Sequence, residues 1–145
     1  MAKIKKRRRR LRTDGPCPCG TGNKYTVCCQ PYVLGESAPE TAELLMRSRY
    51  SAYAMAKANY IIETTDPDGS AWEDDADIWR RRILKFSRGS QYAGVVILEH
   101  EEDGDESWVK FRAIMTAERK DASFTERSYF RRVDGRWLYH SGEMQ

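Results

Sequence analysis

The sequence predicts an α+β fold, with helices in the first half of the body, an antiparallel meander in the second, and a small cysteine-bearing segment in front. Three observations predict it. Apolar residues recur at helical spacing as far as Phe86 and at a spacing of two from Tyr92 onward, and runs of helices followed by runs of strands make an α+β architecture. Turn dipeptides rich in Gly and Asp punctuate the second half. All four cysteines fall within residues 17–29.

The chain divides by composition into three parts: a basic arm over residues 1–13, expected to be disordered, a turn-rich cysteine segment over 14–34, and a body over 35–145. The first twelve residues carry eight bases and no acid, so the net charge of +3 resolves into an arm of +8 and a remainder of −5. The arm is not followed by an apolar segment, because Thr13, Asp14, Gly15 and Pro16 come next, and a secretory signal is not indicated. No apolar run exceeds the five residues 52–56, against roughly 20 for a membrane-spanning helix. A cytoplasmic protein is expected. With 40% hydrophobic and 11% aromatic residues, the body can fill a core.

Taken in order, Ser37 and Glu40 have the spacing of a capping box, with Pro39 in the first turn, and predict a helix to about Ala58. Leu45, Ser48, Ala52 and Met55 form one stripe along it and Met46, Tyr50, Tyr53 and Lys57 a second. A short helical piece through Tyr60, Ile61 and Ile62 ends at the turn Asp66-Pro67-Asp68-Gly69. Ser70 and Glu73 repeat the capping-box spacing, and Trp72, Ala76, Trp79, Ile83 and Phe86 trace a helix whose acids come first and bases last, matching its dipole.

Strands follow over residues 92–100, 108–119, 123–133 and 137–140, with a turn at 101–106 and a tight hairpin at Asp134-Gly135. In the second strand Val109, Phe111, Ala113 and Met115 alternate with Lys110, Arg112, Ile114 and Thr116.

The chemistry-bearing motif is Cys17-Pro18-Cys19-Gly20-Thr21-Gly22-Asn23-Lys24-Tyr25-Thr26-Val27-Cys28-Cys29. Four cysteines in one compact segment, with no secretory signal, favour a shared metal ion over paired disulfides or free thiols, although adjacent Cys28 and Cys29 also permit a strained vicinal disulfide. Zinc suits four thiolates and iron is the alternative in the same cage. Four sulfurs leave no open coordination position, so such a site is structural, and its binding free energy is folding free energy for a segment too small to bury a core.

This motif resembles the SEC-C zinc module, with Cys29 in the place where the last ligand is often His. Residues 39–54, 96–102, 108–112 and 126–137 resemble the YchJ family of bacterial proteins. The resemblance implies a nuclear-transport-factor-2-like (NTF2-like) body, a cone of helices closed by a curved sheet of four or more antiparallel strands. It departs at Asp66-Pro67, where many relatives carry His-Pro.

Two functional expectations follow. The first is a zinc-binding adaptor in which the SEC-C-like module and the arm, through Lys5, Lys6, Arg7, Arg8, Arg9, Arg10 and Arg12, contact a ribosome or RNA, a chaperone or an anionic surface. The arm lacks interleaved aromatics, so sequence-specific base recognition is not indicated. The alternative is a small-molecule binder or enzyme using the concave pocket of the body, with Arg49, Tyr53, Asp66 and Glu126 as possible pocket residues and Glu99, Glu118 and His140 as further polar candidates. No acid/base pair or triad is recognisable among them.

Overall fold

A computed structural model describes residues 13–145; the arm's eight bases lie outside them. A single 3₁₀ turn, Tyr25–Val27, and a short helix α1, Gln30–Val33, finish the cysteine segment. Three helices follow, α2 (Ala42–Ala54), α3 (Ala58–Glu63) and α4 (Ala76–Gly89). Five strands complete the chain: β1 (Ser90–Asp103), β2 (Glu106–Ala117), β3 (Lys120–Asp121), β4 (Phe124–Val133) and β5 (Arg136–Met144). They form one antiparallel sheet in the order β1-β2-β4-β5, with the short β3 paired to β2. Among the described residues no helix is long and apolar enough to cross a membrane.

Both helix starts fall later than the capping-box spacing predicts. Thr41 caps α2, its hydroxyl accepting the Leu44 N–H at 3.1 Å. Ser37 instead donates its N–H back to Pro31 at 3.2 Å, and the Glu40 carbonyl accepts the Trp137 indole N–H at 3.1 Å. A backbone carbonyl engaged by a distant strand holds this stretch outside the helix. Likewise Asp75 caps α4, accepting the Ile78 N–H at 3.0 Å. Ser70 lies in a loop tied to β5 by the Ala71 N–H on the His140 carbonyl at 3.2 Å. Trp72 therefore reaches its stripe partner Trp79 from a loop, with ring centroids 5.2 Å apart.

The predicted long helix breaks at Ala54. Ala56 adopts φ +57°, its N–H reaching Tyr53 at 3.2 Å while the Lys57 N–H reaches Ala52 at 2.8 Å. These two bonds make a Schellman motif, normally built on glycine. The break turns α3 back across α2.

Both predicted stripes of α2 are used: Leu45, Ser48 and Ala52 are buried on one side, Met46 and Tyr50 on the other. The alternation in β2 holds as well, with Val109, Phe111, Ala113 and Met115 buried and Arg112, Ile114 and Thr116 exposed. The β4–β5 hairpin turns at Asp134 and Gly135, both at positive φ, as Asp-Gly predicts. The β2–β3 turn uses Glu118 and Arg119 at φ +51° and +63°. No turn residue announces it, and the second strand accordingly ends at Ala117 rather than at Arg119.

Two features curve the sheet and close the cone. Register shifts interrupt β1 between Tyr92 and Gly94 and between Ile97 and Glu99, and such bulges bend a strand. After α3 the chain lies beside β5, with the Tyr139 N–H on Thr64 and the Asp66 N–H on Tyr139, each at 2.8 Å. That contact covers the sheet edge.

Candidate functional site

The cysteine segment folds as a knuckle around its four sulfurs. A β-bridge between Pro16 and Lys24 closes its base, the Cys17 N–H bonds to Asn23 at 2.8 Å, and the Gly20 N–H returns to Cys17 at 3.1 Å. Gly20 and Gly22 sit at φ +86° and +88°, conformations that glycine adopts without a Cβ penalty. The 3₁₀ turn then carries Cys28 and Cys29 back to face Cys17 and Cys19.

All four Sγ atoms lie within 4.8 Å of one another. Cys19 and Cys28 are 3.6 Å apart and Cys28 and Cys29 4.0 Å. A tetrahedral ion with sulfur at about 2.3 Å sets sulfur–sulfur edges near 3.8 Å, whereas a disulfide needs about 2.05 Å. The four cysteines are free, so the vicinal disulfide is not formed and the spacing fits a shared ion.

Electrostatics within the cluster agree. Cys19 is drawn well below the ordinary thiol range by hydrogen bonds from Cys17 and Cys29. Cys29 is pushed far up by its bonds with Cys17 and Cys19 and by burial. Burial also raises Cys28, to about 11. The charged form is thus favoured at Cys19 and disfavoured at Cys28 and Cys29, and a bound cation would offset the cost of ionising sulfurs this close together.

The knuckle is docked on the body rather than hung from it. The Cys17 sulfur lies 3.3 Å from the Ser51 hydroxyl of α2. The Cys19 carbonyl accepts from Arg47 at 3.2 Å and from the Val95 N–H of β1 at 3.3 Å. A Cβ on Gly20 would meet the Gly94 Cα at 3.3 Å, so two glycines permit this backbone approach. Cys17, Cys19, Tyr25 and Cys29 share one continuous buried cluster with the body. The sequence motif singles out the four cysteines but not their seat on Ser51, Arg47 and Gly94. Gly94, inside an otherwise Val/Ile-rich strand, is the one signal that marked a close approach.

A second feature lies inside the cone. A cavity of ≈ 340 Å³ opens between α2, α4 and the concave face of the sheet, walled by aromatic rings including Tyr53, Phe86, Tyr92 and Phe111. Arg49, Tyr53 and Glu126 line it; Asp66 does not. Asp66 is buried elsewhere, paired with Arg131 Nε at 2.7 Å and accepting the Asp68 N–H at 2.9 Å. Burial works to raise this carboxyl, but Arg131 and Asp68 outweigh it and hold it below its ordinary 3.8. His140 contacts Ser141 at 2.9 Å and stacks edge-on with Tyr129, away from the cavity lining. Glu99 and Glu118 are exposed on β1 and the β2–β3 turn.

Helices packed on a curved antiparallel sheet, with a four-cysteine knuckle docked in front, define an NTF2-like protein carrying a SEC-C motif. The family model "YchJ, middle NTF2-like domain" matches residues 41–142, and the chain belongs to that family. It is 39% identical over 132 residues to a UPF0225 protein of Serratia proteamaculans, spanning 87% of this chain and 81% of that one. It is 42% identical over 125 residues to a UPF0225 protein of Deinococcus radiodurans, spanning 86% and 85%. A solution structure of a SEC-C motif containing protein from Rhodopseudomonas palustris superposes with a TM-score of 0.76 at 34% identity, covering 89% of this chain and 98% of that one.

Proposed function

We propose that the protein is a cytoplasmic adaptor whose SEC-C knuckle holds one zinc ion through Cys17, Cys19, Cys28 and Cys29 and presents, together with the basic arm, a contact surface for a polyanionic macromolecule such as the ribosome or RNA. The observation that carries the reading is the closed cluster of four sulfurs, three of them buried, seated on Ser51 and Arg47. Zinc in that cage supplies a crosslink and no reactive position. The knuckle's role is therefore to hold a surface.

That surface is the outer loop of the knuckle. Residues 20–24 are exposed, Val27 is 73% exposed, and the Pro16–Lys24 bridge places this loop beside the point where the arm joins. An arm with eight bases adds a salt-sensitive increment for each phosphate it neutralises.

The test keeps the knuckle intact, because removing residues 17–29 would strip four side chains from the shared core. Full-length protein is compared with a variant in which Lys5, Lys6, Arg7, Arg8, Arg9, Arg10 and Arg12 are replaced by Gln, in cosedimentation with ribosomes at 50 and 200 mM salt. Binding at low salt that falls steeply with salt and is lost in the variant is expected. Equal sedimentation of both proteins would overturn the adaptor reading. Metal analysis is expected to give one zinc per chain, and one iron in its place would overturn the choice of ion.

A further inference from the structure

The cone contains a cation that the fold leaves half used. Arg49 is only 8% exposed, and arginine so buried is ordinarily paired with a carboxylate. Its Nη1 holds the end of α3, donating to the Ile61 carbonyl at 2.9 Å, to the Thr64 hydroxyl at 2.8 Å and to the Thr65 hydroxyl at 3.1 Å. All of its hydrogen bonds among the described residues run through that one nitrogen. Among the described residues Nε and Nη2 have no hydrogen-bond partner and no carboxylate lies within ion-pair distance, and the side chain lines the cavity. The guanidinium carbon rests 4.5 Å over the Tyr139 ring, which fixes its plane.

Both carboxylates that line the cavity, Glu126 and Glu73, have partners of their own. Glu126 Oε2 accepts from the Ser128 hydroxyl and from the Tyr139 hydroxyl, the latter at 3.1 Å. At the rim Glu73 and Arg82 pair with each other. What the cavity offers unspent is therefore two guanidinium nitrogens and a set of aromatic walls. Phe86, 45% exposed yet packed edge-on against Tyr53 and Tyr92, stands among those walls. A wider groove of ≈ 770 Å³ beside α3 has no buried cation: Lys57 and Arg136 on its lining are exposed, and Arg80 bonds to Asn59 at 3.0 Å and Asp77 at 3.3 Å.

We propose that the cone cavity binds a small organic acid with an aromatic or similarly flat apolar body, its carboxylate taken by the free edge of Arg49 and its body held among Tyr53, Phe86, Tyr92 and Phe111. A volume of ≈ 340 Å³ lies at the lower end of the about 300–1,000 Å³ of small-molecule sites. Guanidinium donors presented edge-on match a carboxylate in geometry as well as charge. Seating the anion gives a buried cation the counter-charge that the chain itself withholds.

The test uses the full-length protein and 1-anilinonaphthalene-8-sulfonate, whose fluorescence reports an apolar site. One saturable site is expected, from which 2-naphthoate displaces the dye at least tenfold more effectively than 2-naphthamide, its neutral counterpart. Arg49→Met is expected to abolish that preference while the naphthamide value stays within twofold. Because Arg49 also anchors α3, a second variant guards against misfolding: Glu126→Gln removes the competing negative charge and is expected to strengthen 2-naphthoate binding severalfold. Dye held on the cationic arm alone would respond to neither substitution. Displacement by acid and amide alike, no displacement by either, or a preference unmoved by both substitutions would overturn the proposal.

Discussion

The knuckle and the cone reach order by opposite means. In the knuckle, four sulfurs within 4.8 Å do the work that a core does elsewhere, and apart from them only Tyr25 is a large buried side chain. In the cone, burial is spread over α2, α3, α4 and four strands, from Leu45 and Ile61 to Val109 and Phe130. A structure held by one multivalent centre fails all at once when that centre is lost, while a distributed core gives way site by site. The two also treat polar groups differently: the knuckle closes its sulfurs against one another, whereas the cone leaves two nitrogens of Arg49 open.

The comparison breaks most decisively at the cysteines. Cys19→Ser, or removal of metal by a strong chelator, is expected to cost on the order of 5 kcal/mol or more, read as a fall in urea midpoint together with loss of the bound ion. Because the knuckle shares its core with α2 and β1, the loss should reach Tyr50, whose hydroxyl accepts the Gly94 N–H at 2.9 Å and donates to the Ile114 carbonyl at 3.1 Å. A metal-free protein with an unchanged midpoint would show that the knuckle is not held by its ion.

In the cone, Gly69→Ala drives a Cβ into the His140 backbone carbonyl, where neither side can yield without separating the loop from β5. A loss of about 3 kcal/mol is expected, with metal content unchanged at one equivalent per chain. If the metal is lost as well, damage in the cone travels to the knuckle and the two are less separate than drawn here.

A smaller, pH-dependent effect is expected from Asp66→Asn. The folded carboxyl is held below 3.8 by Arg131 and Asp68 despite its burial, so its contribution is complete above the unfolded value of about 3.9 and is lost as pH falls through the lower folded value. Urea unfolding at pH 7 should show the variant destabilised, and the difference should shrink as pH is lowered below 3.8. A difference that does not shrink with falling pH would assign the loss to packing.

The smallest change is a gain. Ala56 occupies the left-handed position of the Schellman turn at φ +57°, so Ala56→Gly is expected to raise stability by about 0.5–1 kcal/mol. A thermal melt checks it, and ligand-free and metal contents should not move.

Much of the fold was legible because its signals are local. The spacing of Trp79 and Ile83, the alternation of Val109, Phe111, Ala113 and Met115, and the Asp134-Gly135 turn each state a preference within a few residues, and the structure keeps all three. The helix starts were misread because Ser37 and Ser70 satisfy a capping pattern while distant partners, Trp137 and His140, take the neighbouring backbone groups. The Glu118-Arg119 turn was invisible because its positive φ values fall on residues that do not favour them. For the site, the four cysteines stand out through spacing alone, whereas nothing in the spacing of Arg49, named as a possible pocket residue, separates it from Arg47 on the same helix. Arg47 pairs with Glu43 at 3.4 Å, while Arg49 turns to the end of α3 and the cavity.

By itself the sequence determined the inventory: an α+β body, a segment whose four cysteines fall within 13 residues, and a basic arm set against an acidic remainder. Local spacing and composition suffice for these, since helix and strand periods and metal-ligand loops are properties of short stretches of chain. Only the tertiary structure decided where the knuckle docks, that Asp66 pairs with Arg131 rather than facing the cavity, and that Arg49 enters the cone without a carboxylate. Those outcomes depend on which partners the whole fold brings to each buried group, and a burial cost shared among residues dozens of positions apart leaves no mark in their spacing.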